Sequence, residues 1–171
     1  MWSWPIYCSA FKMAELIHPG DAQKVELLGR NRLIDELLRD NLEVAVPIRD
    51  RGIDLIAYAD TAVSSYVARP IQMKAAWTQA FGINRKYEKF PGLIIAYVWN
   101  LNDHTQAVTY AMSYAEAFSI AEGMGWTRTA SWARGGYSSN QPSRKLQGLL
   151  EPYKMLPRYW WLLVTRGRRL G

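Results

Sequence analysis

The sequence predicts an α/β fold in which a single mixed β-sheet is flanked by helices. Three observations predict it. An apolar pattern at helical spacing near the N-terminus is followed by three short β-like runs and then by a continuous apolar run of strand length. No repeat, low-complexity tract or linker interrupts the series, which implies one sheet with helices packed against it. The chain has 171 residues, 49% of them hydrophobic, so it is long and apolar enough for one ordered domain and too apolar for wholesale disorder.

The first helix is expected from Ala22 to about Asp40. Pro19-Gly20-Asp21 reads as a stop followed by an N-cap. Leu27, Leu33, Ile34, Leu37 and Leu38 make the apolar stripe, with Val25 and Leu28 to its sides. Gly29 interrupts the run at a cost of about 1 kcal/mol against Ala, and Asn41 reads as the C-terminal cap. The first β run, Glu43 to Ile48, contains Pro47 and so belongs at an edge. It ends at the turn Arg49-Asp50-Arg51-Gly52. Ile53 to Ala59 is the second run, then comes a loop with Asp60 and Ser64-Ser65, and Tyr66 to Ala75 is the third.

Trp77 to Pro91 is polar and basic and reads as a loop with a short helical piece. Leu93 to Trp99 is apolar on both faces, hence central. Asn100 to His104 turns, Ala107 to Met112 is a further strand, and Tyr114 to Met124 is helical. A late helix runs from Pro142 to Leu150, with Asn140 or Gln141 near its start, and Trp160 to Val164 is an apolar run of strand length. The domain organisation expected is an N-terminal extension over residues 1–12 and one domain over 13–171. That domain has its core at about 21–112 and a basic, Trp-rich elaboration over 113–171. Met13 is an alternative start, because Trp2-Ser3-Trp4-Pro5 fits nothing downstream.

Composition removes several kinds of chemistry. The single cysteine, Cys8, excludes an internal disulfide framework and a Cys-rich zinc site. Two histidines, His18 and His104, are too few for a His-based metal cage, and neither sits in a motif for a Ser-His or Cys-His nucleophile. No apolar run approaches the roughly 20 residues that span a bilayer. Met1 to Phe11 lacks the basic start and long apolar stretch of a signal peptide. No membrane partner and a reducing, cytoplasmic setting are therefore expected.

The net charge of +6 is unevenly spread. Residues 1–75 hold nine basic and ten acidic side chains, and residues 76–171 hold twelve and five. In the second half the cations alternate with aromatics, as in Trp126-Thr127-Arg128, Trp132-Ala133-Arg134 and Arg158-Tyr159-Trp160-Trp161. That composition suits a polyanion, whose phosphates the cations hold while ring faces stack on bases. It also suits an aromatic core under a solvated basic face.

The residues that carry chemistry lie in the first half. Asp54 interrupts an apolar run, and a carboxylate there needs a partner because an unpaired buried charge costs several kcal/mol. Gln72 and Lys74 are two apart on the next strand, so both project from one face. Glu26 lies between Leu33 and Leu37 around the helix, at about 100° per residue, and so points towards the sheet. Alternatives stand beside each. Asp54 and Lys74 also make sense as a structural ion pair, and Glu26 as the partner of Arg30 one turn on.

Gly52-Ile53-Asp54-Leu55-Ile56 and Ile71-Gln72-Met73-Lys74, with the inward Glu26, resemble the PD-(D/E)xK nuclease superfamily, in the Gln-x-Lys variant similar to Mrr-like restriction enzymes. The resemblance covers about Asp21 to Trp99. It implies a restriction-endonuclease-like core (αβββαβ) and a divalent-metal-dependent DNA endonuclease. In that role Asp54, Gln72 and Glu26 hold magnesium (manganese in its place), and Lys74 orients the attacking water. Gln72 stands where the family commonly has Glu or Asp, and Glu26 lies about one helical turn further from the first strand than the family pattern, with Asp50 as a substitute. Arg85, Lys86 and Lys89 around Tyr87, together with Arg128 and Arg134, are the candidate nucleic-acid-binding residues; Arg166-Gly167-Arg168-Arg169 adds basic charge at the tail. A homodimer is expected if both strands of a duplex are cut. The competing readings are a catalytically inactive nuclease-like module that binds nucleic acid or a protein partner, and an aromatic-rich protein that docks on another subunit.

Overall fold

The computed structural model describes residues 21–49, 51–62 and 65–167. The N-terminal extension, Met13, Cys8, His18, Asp50, Arg168 and Arg169 lie outside the described residues. The first helix, α1 (Ala22–Arg39), starts at Asp21, whose carboxylate accepts from the Lys24 N–H at 2.9 Å. It ends at Asp40, followed by Asn41 at φ 58°. The buried face of α1 is Gly29, Leu33 and Leu37. Leu27 and Leu38, expected in the stripe, are exposed. At about 100° per residue they lie roughly 120–140° around the helix from Leu33. The line of closest approach is instead set by Gly29, where a Cβ would sit 2.6 Å from the Ala75 Cβ. The glycine thus lets the helix backbone lie against the strand end that carries the candidate site.

The strands are β1 (Glu43–Ala45), β2 (Leu55–Ala62), β3 (Ser65–Ala75), β4 (Phe81–Asn84), β5 (Ile94–Trp99), β6 (Val108–Ser113) and β7 (Gly136–Ser139). The fold class is the expected one, a mixed sheet flanked by helices, with strand order β1-β2-β3-β5-β6. Only the β3–β5 pairing is parallel. Strand β1 is at the edge, where Pro47 costs no ladder bond, and β5 is buried along its whole length. Asp60 and Ser65, read as loop, belong to the β2–β3 hairpin, where Asp60 pairs with Tyr66. The 77–91 segment, also read as loop, holds β4 and a 3-10 turn over Arg85–Tyr87. Strand β4 pairs with β7, which lies more than 50 residues later, so no local pattern announces it.

Helices α2 (Tyr114–Gly123), α3 (Ala130–Ala133) and α4 (Arg144–Leu150) follow. Ser113 and Glu116 form a capping box on α2. Ser143 caps α4, not Asn140 or Gln141. Trp160 to Val164, of strand length, is helical instead, within α5 (Tyr159–Arg166). Its N-terminus is capped from a distance, by Asp40 accepting from the N–H groups of Arg158 (2.7 Å) and Trp160 (2.9 Å). Two apolar layers result. One holds Leu33, Leu37, Ile71, Met73, Trp160 and Val164 under α1 and α5. The other, on the opposite sheet face, holds Phe81, Ile83, Tyr87, Ile95, Tyr97 and Trp126. Among the described residues no helix is long and apolar enough to cross a membrane.

Glu36 joins α1 to both β6 and α5. Its carboxylate accepts from the Thr109 hydroxyl (2.8 Å) and the Trp160 indole N–H (3.2 Å), and pairs with Arg32 at 2.9 Å. Burial pushes its pKa above the usual glutamate value, against the pull of the Thr109 bond and the Arg32 charge. The folded chain therefore holds this proton more tightly than the unfolded chain. Stability from it is full below the unfolded glutamate pKa and is lost as pH rises through the raised folded value. Urea-denaturation midpoints measured across that window are expected to fall with rising pH, and Glu36→Gln is expected to flatten that component of the slope. An unchanged slope in the variant would refute the assignment.

Candidate active site

The site arises where β2 and β3 part. Strand β2 begins at Leu55, while β3 continues to Ala75. Asp54 therefore stands just before the strand, not inside it as the apolar run implies. Along β3 the backbone groups of Ile71 and Met73 face the same side. The Ile71 carbonyl accepts from the Asp54 N–H at 2.9 Å. The next donor on that side, the Met73 N–H, lies beyond the end of β2, and the Asp54 carboxylate takes it through Oδ2 at 2.6 Å. The Gln72 Nε2 donates to the same oxygen at 2.5 Å and to the Met73 carbonyl at 2.9 Å. A charged acceptor with two N–H donors is held in one orientation.

Gln72 is buried and Asp54 and Lys74 are half-buried. Gln72 and Lys74 share a sheet face, as expected: their partners across β5 are Ile95 and Tyr97, in the layer opposite α1. Gly52 closes the site from the preceding turn at φ 93°, where a Cβ would stand 3.3 Å from the Tyr87 ring and 3.8 Å from the Gln72 Oε1. The Lys74 ammonium lies 5.3 Å from the centre of the Tyr87 ring, and the Lys86 ammonium 5.0 Å from it. Burial pushes the Lys74 pKa down, repulsion from Lys86 adds to this, and attraction to Asp54 opposes it.

Glu26 borders the same cleft of about 550 Å³ as Asp54 and Gln72. It lies on the Leu33–Leu37 side of α1, but one turn beyond the packed part of the helix. Its side chain is more than half exposed and pairs with Arg30. The structure thus places Glu26 both at the cleft and in the ion pair. Two carboxylates and an amide oxygen form an oxygen-only donor set, which fits a hard divalent cation and not a thiolate- or imidazole-seeking one. Among the described residues no group of three or more His, Cys, Asp or Glu side chains is assembled to hold a metal. A cation held here would have to draw on Gln72, and on Glu26 released from Arg30.

Lys74 does not line that cleft; it lines a second one, of about 590 Å³, together with Arg134. A smaller depression between Met73, Ala75 and Ser138 joins the two. Arg134 therefore shares a cleft with Lys74, and not the one that Asp54 and Gln72 line. Arg85, Lys89 and Arg128 are exposed and line neither cleft. The sequence reading missed Tyr87 as the surface under Lys74, and Gly52 as the turn beside Gln72. Tyr87 amid basic residues, and a glycine two before Asp54, were the available signals. It also missed the β4–β7 ribbon and Asn140 at the cleft edge, which carried no local signal.

No protein-family model matches the chain, and no curated protein matches it. Among solved structures it is similar to that of a bacterial homing endonuclease, I-Ssp6803I. The identity is 12%, the coverage 86% of this chain and 96% of that one, and the TM-score 0.48.

Proposed function

We propose that this chain is a divalent-metal-dependent nuclease of the PD-(D/E)xK type in its Gln-x-Lys form, hydrolysing phosphodiester bonds of DNA as an endonuclease. The observation that supports the reading is the Asp54–Gln72 hydrogen bond at the parting of β2 and β3, with Lys74 on the same face of β3, within reach of the Asp54 charge, and Arg134 in the cleft that Lys74 lines. Asp54 is the principal metal ligand, fixed by the Met73 N–H, with Gln72 and Glu26 beside it. A bound magnesium ion, or manganese in its place, supplies an acidified water and neutralises charge at phosphorus. Lys74, half-buried over the Tyr87 ring and lining the adjoining cleft, offsets negative charge on the phosphate oxygens. Cutting both strands of a duplex takes two such centres, so a homodimer belongs to this reading.

The test is cleavage of plasmid, single-stranded and branched DNA with magnesium or manganese and with EDTA. Nicking or cutting that requires the cation is expected. Inactivity on all of these and on RNA, with either metal, would overturn the reading.

A second reading has its own observation: Gln72 replaces an acid, and Glu26 is engaged by Arg30. On that reading the chain binds nucleic acid without cutting it. Calorimetry separates the two. Magnesium binding that disappears in Asp54→Ala supports the enzyme, whereas salt-sensitive DNA binding indifferent to the metal supports the module.

A further inference from the structure

The groove continues past Lys74, and its floor has an unusual composition. The β4–β7 register sets Gly82 opposite Ser138 and Asn84 opposite Gly136. All four line the cleft shared by Lys74 and Arg134, so this face of the ribbon carries two glycines, a serine and an asparagine and no bulky side chain. Gly136 has to be bare, because a Cβ there would lie 2.5 Å from the Ile83 carbonyl oxygen. The inner face is anchored: Phe81 and Ile83 are buried, and Tyr137 stacks on Trp126 with centroids 4.4 Å apart. A ribbon face of small residues, anchored on its other side, admits a bulky chain close to the backbone.

The walls decide what kind of chain. Lys74 and Arg134 both line the cleft, with the Ser131 hydroxyl beside Arg134, and among the described residues no acidic side chain lines it. Arg134 is exposed, and its contact among the described residues is a long one to Ser131, at 3.4 Å. Its guanidinium is thus available to an outside anion, for which a planar fork of donors is well suited. The cleft runs into the Asp54 cleft by way of Met73 and Ser138, so the ligand is elongated and continuous with whatever reacts there. We infer that the Lys74–Arg134 cleft is a subsite for the sugar-phosphate backbone of the nucleic-acid strand leading away from the reacting phosphate, with Arg134 as its phosphate-binding residue. The inference rests on the nuclease reading above and adds where the strand lies.

The experiment measures binding apart from cutting. Fluorescein-labelled single-stranded and duplex DNA is titrated with the protein in EDTA by anisotropy at several salt concentrations, and cleavage with magnesium is assayed in parallel. Arg134→Ala is expected to weaken binding about tenfold and to lower the salt slope by about one. Ser138→Trp, which plugs the cleft from an exposed position, is expected to weaken binding by about tenfold or more while circular dichroism stays unchanged. Arg39→Ala removes an equal charge near the other end of α1, about 20 Å from Glu26 along the helix, and is expected to leave binding unchanged.

If the wild-type chain cuts DNA and both cleft variants bind and cut like it, the subsite is overturned and the nuclease reading survives. If the wild-type chain binds DNA without cutting, and the variants lose binding, the strand-binding cleft stands and the nuclease reading falls. A wild-type chain that neither binds nor cuts overturns both.

Discussion

Lys74→Ala is expected to slow DNA cleavage by about a hundred- to a thousandfold, the cost typical of losing one aimed electrostatic group. The loss should appear in kcat, because Lys74 faces the reacting region beside Asp54 and is not needed to hold the sheet together. Stability should change little, since the residue is half-buried over the Tyr87 ring and offers no buried acceptor that its removal would orphan. Asp54→Asn is expected to cost at least as much activity. It keeps a side-chain oxygen for the Met73 N–H but removes the charge that a cation needs. Asp54→Ala removes both, and the orphaned Met73 N–H should cost about 1–3 kcal/mol of stability besides. Comparing the Asn and Ala variants therefore separates chemistry from folding. Lys74→Arg tests the nature of the Lys74 contribution: partial rescue means that its charge matters, and no rescue means that the shape of a single ammonium matters. Variants that cut at the wild-type rate would remove Asp54 and Lys74 from the site.

The parts of this site that were legible in the sequence are those set by short-range rules. Residues two apart on a strand share a face, so the sequence alone pairs Gln72 with Lys74. Asp21 before a helical run announces an N-cap. An apolar run of seven residues with no polar face, Leu93 to Trp99, reads as a central strand. What the sequence hid is set by partners far along the chain. The stripe on α1 was misplaced because its docking line depends on the close approach of Gly29 to Ala75, which periodicity does not encode. Strand β4 is four residues long and gains its identity from β7. Helix α5 looks like a strand because five apolar residues carry no period, and its cap is the distant carboxylate of Asp40. The aromatic neighbours of Arg134 point to stacking, yet Trp132 packs into the core, and Arg134 shares its cleft with Lys74 and the β4–β7 ribbon.

That distant capping makes Trp160 the residue on which the α1 side of the fold most depends. Trp160→Ala is expected to destabilise the chain by about 3–5 kcal/mol. The indole is 2% exposed and packs in the layer with Leu33, Leu37 and Val164. Its N–H serves the half-buried Glu36 carboxylate at 3.2 Å, so truncation opens a cavity and also removes a donor from that carboxylate. For a chain of this size such a loss lowers Tm by roughly 10 °C, which thermal denaturation followed by circular dichroism reads directly. Trp160→Phe keeps most of the apolar volume but not the donor, and should fall between the two. On the proposed reading, nuclease activity per folded molecule is expected to persist in both variants well below Tm, because α5 packs on the sheet face opposite Gln72 and Lys74. A loss under about 1 kcal/mol for the Ala variant would mean that α5 is not seated in the core. The Asp40 cap and the Glu36 hydrogen bonds would then be ornaments of the packing and not its cause.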